Sequence, residues 1–312
     1  MKQKILSIFS NKITWLLLGV ILTVALIVGI CVGISSCAAR HDTPETTVSD
    51  TYETTDTTET TASEATQTTA TTATETTASP ARPALPDKVI ALTFDDGPSL
   101  VITPQILDIL EKYNAKATFF VVGSSLVDAK MNTFRRAIGM GCEIGNHSYN
   151  HSMLTELSAE EIIGEIRDTN ERIAYLSCVG YTSTLLRPPG GHIDRAVMEA
   201  LYADGIRMHA ILWSDDSRDW EFNAAYRNGE ISEEEAIERT CELLLSEVTN
   251  GGIVLMHDIK EITPAVLDRV LAELTAQGYT FVTVSELFDF DNMGSNAYFS
   301  KFYSRDRVMF VQ

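Results

Sequence analysis

Asp95 and Asp96 are adjacent carboxylates at the end of an apolar run, Val89 to Phe94, and Gly97-Pro98 turns the chain away behind them. Two acids there are costly to desolvate unless a metal ion, an arginine or hydrogen bonds compensate them. Candidates for what sits opposite them lie downstream at wide spacing: His147 and His151, Arg187, Asp219 and His257. Imidazoles at i and i+4 share one face of a helical turn and can chelate one ion. A strand-end Asp would complete a His₂Asp set with positions open for water and substrate. Three of the chain's six histidines fall in these motifs. Each residue alone has a plainer reading. Asp95-Asp96 would be a turn pair, Arg187 a surface cation, Asp216 and Asp219 solvated loop charges, and Trp220 a core anchor.

The elements that must position these groups begin at Asp87, where short β-rich runs alternate with amphipathic helices. Strands are predicted over Val89–Phe94, Ala117–Val122, Glu143–Asn146, Thr184–Leu186, Met208–Trp213, Gly252–Met256 and Thr280–Val284. Helices are predicted over Thr103–Tyr113, Val127–Gly139, Ser158–Leu176, Asp194–Asp204, Ser232–Val248 and Thr263–Gln277. Ser158 and Glu161 form a capping box at the start of the third. Seven strands alternating with six helices imply a parallel sheet, an α/β class in which reactive groups gather at strand C-terminal ends. The candidates sit there: Asp95 and Asp96 after the first strand, His147 after the third, Arg187 after the fourth, Asp216 and Asp219 after the fifth, His257 after the sixth. Asp216 is given no catalytic role.

The chain has 312 residues and a net charge of −19, which argues against a nucleic-acid partner. Residues 1–12 are a lysine-bearing N-terminus. Residues 13–36 contain no charge across 24 residues, about 36 Å as a helix and long enough for a bilayer. The flanking charges put the N-terminus in the cytoplasm and the rest outside, as a single-pass cell-membrane protein. A cleaved signal, or lipidation at Cys37 after Ile34-Ser35-Ser36, are the rival readings. Residues 37–86 form a linker; 18 of the 40 residues 41–80 are Thr, so little apolar surface is available to bury. Residues 87–290 make one domain. The tail, residues 291–312, holds Tyr298, Phe299, Phe302, Tyr303 and Phe310 and packs on the barrel or contacts wall or membrane. Cys142, Cys178 and Cys241 read as small buried hydrophobes.

The motifs Thr93-Phe94-Asp95-Asp96-Gly97-Pro98, His147-x-x-x-His151, Arg187-Pro188-Pro189-Gly190-Gly191, Asp216-x-x-Asp219-Trp220 and Ile253-Val254-Leu255-Met256-His257 occur in that order. This set resembles the NodB-like polysaccharide deacetylases, carbohydrate esterase family 4, over residues 87–290. The resemblance implies a distorted (β/α)7-type barrel and metal-dependent removal of N-acetyl groups from cell-wall polysaccharide. Peptidoglycan N-acetylglucosamine or N-acetylmuramic acid is the leading substrate. An O-acetyl xylan-type esterase, a chitooligosaccharide deacetylase and a non-catalytic wall-binding module are the alternatives. By resemblance, Asp96, His147 and His151 hold a divalent metal, Zn²⁺ first and Co²⁺, Mn²⁺ or Ni²⁺ next. Asp95 is the general base and Arg187 relieves its repulsion from Asp96. His257 protonates the departing amine, oriented by Asp219. A backbone N–H near Pro189-Gly190 completes an oxyanion hole, and Trp220 and Leu255 wall the acetyl pocket. A Tyr often stands where this chain has Gly190, so a sugar-stacking side chain is lost and substrate preference is affected. A monomer is expected, with the membrane and an N-acetylated glycan as partners.

Overall fold

The computed structural model describes residues 85–290 and the backbone of two further strands, Lys301–Ser304 and Arg307–Phe310. The apolar run 13–36 and almost all of the linker lie outside the described residues. Among the described residues no helix is long and apolar enough to cross a membrane.

The strands are β1 (Val89–Asp95), β2 (Thr118–Val121), β3 (Glu143–Asn146), β4 (Leu185–Leu186), β5 (His209–Ile211), β6 (Asp215–Asp216), β7 (Gly252–His257), β8 (Thr280–Val282), β9 (Lys301–Ser304) and β10 (Arg307–Phe310). The helices are α1 (Ile102–Lys112), α2 (Met131–Gly139), α3 (Ala159–Ser177), α4 (Arg195–Ala203), α5 (Asp219–Arg227), α6 (Glu233–Glu247), α7 (Thr263–Ala276) and α8 (Val284–Phe288). All seven predicted strands and all six predicted helices form. The additions are two-residue β6, helix α5 in what reads as a loop, the short α8, and the tail strands.

Sheet order is β10-β9-β5-β4-β3-β2-β1-β7-β6, and β8 also pairs with β1. Every pairing is parallel except β9 with β10. Chain geometry forces this sheet to curl. From β5 to β6 the sheet path crosses six strand gaps, about 29 Å if flat. The chain covers the same step between Ile211 and Asp215, at most about 15 Å. Only a sheet rolled into a barrel satisfies both. The distortion is visible on β1, where Val89–Ala91 pair with β8 while Thr93–Asp95 pair with β2.

The alternation of β1 sets the layers. Ile90, Leu92 and Phe94 face outward and pack with Ile106, Leu107 and Leu110 of α1 and Val266, Leu267 and Val270 of α7. Ala91 faces inward with Phe120, Leu185, Ile211 and Ile253, and Val284 of α8 and Phe290 join that cluster. Both faces are covered, so β1 is buried along its whole length, as parallel strands usually are. Truncating Leu92 to Ala would cost about 2–5 kcal/mol. The next inward positions, Thr93 and Asp95, are polar, so the barrel's interior changes from apolar to polar toward its C-terminal end.

Cys142 and Cys241 are buried as expected, but Cys178 is exposed. It ends α3 in a left-handed conformation (φ 54°), which turns the chain and leaves the thiol outside. Ser158 and Glu161 form the predicted capping box. In the tail, β9 pairs with β5 through Ala210–Phe302 and Ile211–Tyr303, so part of the tail extends the sheet.

Candidate active site

Successive strand residues point to opposite faces, so two adjacent carboxylates cannot both enter a barrel from a regular strand. Asp95, the last residue of β1, points inward and is 3% exposed. Asp96 leaves the strand with φ 74°, which returns its carboxylate to the same site.

The two histidines converge by a different route from helical spacing. Residues 147–151 form a loop after β3 in which Ser148 (φ 62°) and His151 (φ 58°) are left-handed. Asp96 Oδ1 lies 3.6 Å from His147 Nε2 and 3.3 Å from His151 Nε2. A tetrahedral ion with bonds of about 2.1 Å requires ligand–ligand edges of about 3.4 Å. His147 Nδ1 donates to the Arg187 carbonyl, 2.7 Å away, which leaves Nε2 as the unprotonated ligand atom. Burial lowers the His147 pKa against the pull of Asp95 and Asp96, which favours the neutral form a metal needs. Asp96, His147 and His151 therefore fit a divalent ion, and the donor set suits Zn²⁺ or a neighbouring transition metal.

Arg187 has no exposed surface. Its Nη1 donates to Asp95 Oδ1 (2.8 Å) and Thr93 Oγ1 (2.7 Å), its Nε to the Ile211 carbonyl and its Nη2 to the Leu212 carbonyl, both 3.2 Å. The guanidinium also stacks over Phe120 at 4.2 Å. Burial lowers its pKa and Asp95 opposes that. A buried cation with three neutral acceptors and a buried anion as the fourth offsets what burying either ion alone would cost.

His257 ends β7 and Asp219 starts α5. Asp219 Oδ1 accepts from His257 Nδ1 (2.7 Å); Oδ2 accepts from the His257 backbone N–H (2.8 Å) and Thr263 Oγ1 (2.6 Å). Asp219 is thus a buried, fully bonded residue rather than a solvated charge. Burial alone would raise its pKa, but His257 and Thr263 hold it below the ordinary value. For His257 burial pulls the other way, and Asp219, Asp95 and Asp96 overcome it and carry the imidazolium to about 9. The same barrel thus keeps His147 neutral and His257 protonated at neutral pH, which suits a ligand and an acid respectively.

Asp95, Asp96, His147, His151 and His257 line one pocket of about 380 Å³ with Gly190, Trp220 and Leu255, while Arg187 and Asp219 are fully buried and reach it only through Asp95 and His257. Pro189 is buried and does not line it. Trp220 is 47% exposed, a pocket wall rather than a core anchor. Gly190 (φ 63°) is flanked by His192 and Met153, which a Cβ there would meet at 3.1–3.2 Å. Asp216, a strand-end residue without an assigned role in the sequence, also lines the pocket, as do Trp213 and Lys260, which the sequence does not single out. Trp213 could have been found by the strand-end rule that found the others, and Thr93 by its two-residue spacing from Asp95. A larger cleft of about 680 Å³ lies among Leu110, Lys116 and Phe281 at the opposite end of the sheet, away from these groups.

A barrel with an Asp–His–His set, a clamped Asp and an Asp-bonded His at strand C-terminal ends is an arrangement for activating water. The profile described as "Polysaccharide deacetylase" matches residues 82–209. A peptidoglycan-N-acetylglucosamine deacetylase of Bacillus cereus is 36% identical over 204 residues, 64% of this chain and 88% of that protein. The chain belongs to the polysaccharide deacetylase family. It is 40% identical over 219 residues to the Listeria monocytogenes peptidoglycan-N-acetylglucosamine deacetylase PgdA, covering 70% of this chain but only 43% of that protein. Among solved structures, a family 4 acetyl xylan esterase of Clostridium thermocellum in complex with cobalt superposes with a TM-score of 0.60. It is 31% identical and covers 70% of this chain and 99% of its own. The distorted barrel expected from the sequence is this family's fold.

Proposed function

We propose that this chain is a metal-dependent N-deacetylase of cell-wall glycan, releasing acetate from N-acetylglucosamine or N-acetylmuramic acid of peptidoglycan. The observation behind this reading is the meeting of a clamped carboxylate, an Asp–His–His set and an Asp-bonded imidazolium in one pocket. Asp96, His147 and His151 would hold the ion, Zn²⁺ first. A divalent ion in such a site lowers the pKa of water toward about 7 and polarises a carbonyl.

The remaining chemistry belongs to the chain. Asp95, held in place by Arg187, takes a proton from the water that adds to the acetamide carbonyl. The Gly190 backbone N–H offers a donor for the oxyanion that develops. His257 then gives its proton to the sugar nitrogen as the C–N bond breaks, since an amide nitrogen leaves poorly as an anion. Asp219 fixes the His257 ring by its Nδ1 and leaves Nε2 for that transfer. Leu255 and Trp220 enclose the acetyl methyl.

The cobalt-bound acetyl xylan esterase supports a second reading, O-acetyl ester hydrolysis by the same groups. A purely binding role has no use for a clamped Asp95 or a protonated His257. The run 13–36 would anchor the chain in the cell membrane, with residues 37–86 giving the catalytic domain reach outside it. Acetate release by the purified protein from peptidoglycan, chitooligosaccharides and acetylxylan, with and without chelator, tests the assignment. Chelator-sensitive release from peptidoglycan is expected, and release from acetylxylan alone would overturn it.

A further inference from the structure

Asp216 is a third carboxylate in the pocket, and neither the metal set nor the water-activating pair uses it. Its position follows from register. Asp216 of β6 pairs with Leu255 of β7, and His257 lies two residues further along the same strand. Paired residues share a face, as do residues two apart. Asp216, Leu255 and His257 therefore enter the pocket from one side. Its charge acts on both His257 and Arg187.

The carboxylate is held in a fixed attitude. Oδ1 accepts the Arg218 backbone N–H at 2.9 Å, and Arg218 sits at φ 52° to make that bond before α5 begins. Among the described residues nothing donates to Oδ2. The pocket therefore contains an oriented acceptor, partly withdrawn from water, on the side of the proton donor.

Resting on the deacetylase reading above, we propose that Asp216 accepts the acetamide N–H of the substrate and thereby selects N-acetyl over O-acetyl groups. An amide brings a hydrogen to that oxygen. An ester brings only lone pairs, so a carboxylate there both rewards the amide and repels the ester. Sites built around a specific hydrogen bond discriminate far more strongly than apolar pockets do. The contact also orients the reaction. With the N–H directed at Asp216, the lone pair that forms as the carbonyl carbon becomes tetrahedral points elsewhere and is free to take the His257 proton.

The test uses full-length, metal-loaded protein, wild type against Asp216→Asn and Asp216→Ser. Asn preserves the oxygen that caps Arg218, and Ser guards against an Asn that flips or fails to fold. Three probes separate the contacts: chitopentaose (amide on a sugar), O-acetylated xylo-oligosaccharide (ester on a sugar) and 4-nitrophenyl acetate (ester without a sugar). The expected result is a fall in kcat/KM on chitopentaose about 10–100-fold greater than on either ester, with metal content unchanged. An equal fall on all three would make Asp216 a general electrostatic or structural group. An equal fall on the two sugars alone would make it a sugar-hydroxyl contact, and no change would remove it from the site; each overturns the proposal. Wild-type protein that cleaves the esters but not chitopentaose or peptidoglycan would instead sink the N-deacetylase reading, before any variant is compared.

Discussion

Asp95 and His257 are register partners across the parallel β1–β7 pair. The proposed base and the proposed acid are thus neighbours on adjacent strands by virtue of the sheet's hydrogen bonding, before any loop contributes. A one-residue slip of β7 would move His257 to the other face and leave the base without its acid. Each of the two is fastened by a buried partner: Asp95 by Arg187, His257 by Asp219.

Metal dependence should separate the two histidines. His151 is half-exposed while His147 is buried against Arg187. His151→Ala should cost metal affinity and activity together with little change in thermal midpoint, whereas His147→Ala should lower all three. Metal content and melting temperature on the same samples check this; full metal occupancy in His151→Ala would refute the ligand set.

Replacing Arg187 should do more damage than the loss of one contact implies. Arg187→Met leaves Asp95 buried beside Asp96 without its cation. Removing one partner of a buried pair costs about 3–5 kcal/mol. Urea unfolding should show an unfolding free energy lower by that amount, with the midpoint falling accordingly; a change below about 1 kcal/mol would mean that Asp95 is compensated by something else.

The pH dependence follows from the His257–Asp219 pair. His257 is raised above its ordinary value to about 9, so its stabilising contribution is complete below about pH 6.5 and fades as pH rises through 9. Activity needs the protonated form, so the alkaline limb of kcat/KM should fall near pH 9, or somewhat lower once a cation on Asp96 offsets the carboxylates. In Asp219→Asn, burial acts with less opposition and the limb should move to lower pH. An alkaline limb that ignores this substitution would remove His257 from the role of acid.

The turn behind the carboxylates permits no side chain. A Cβ on Gly97 would come within 2.1 Å of the Asp258 carboxylate oxygens. Asp258 is buried and bonded to Thr103 at 2.6 Å, so it cannot simply swing aside. Gly97→Ala should destabilise by about 1–3 kcal/mol through overpacking. Adding Asp258→Ala should recover part of the loss in a thermal melt; an unchanged melting temperature in Gly97→Ala would contradict the packing.

The strands and main helices were legible because a parallel barrel writes continuous apolar runs for strands and periodic ones for helices. Their ends were legible because glycine, proline and capping residues mark them, as Ser158 does. The site residues were legible as types at strand ends. Their geometry was not, because it depends on left-handed residues that carry side chains: Asp96, Ser148 and His151. Propensity disfavours that conformation for each of them, so spacing pointed to a helical turn for the histidines instead. Helix α5 was missed because Asp219 looks like a solvated charge until Thr263, 44 positions away, and His257 supply its partners. Asp216 is legible as a strand-end residue, but its place beside Leu255 is not, because only the closing of the barrel brings β6 round to β7.

The most direct test of the account compares wild type and Asp95→Asn for metal content and acetate release from peptidoglycan on the same preparations. Asn keeps the shape beside Arg187 but cannot take the water's proton. Equal metal content and a fall in kcat of about 10²–10⁴-fold are expected. Asp95→Asn protein that binds metal and still turns over near the wild-type rate would contradict it.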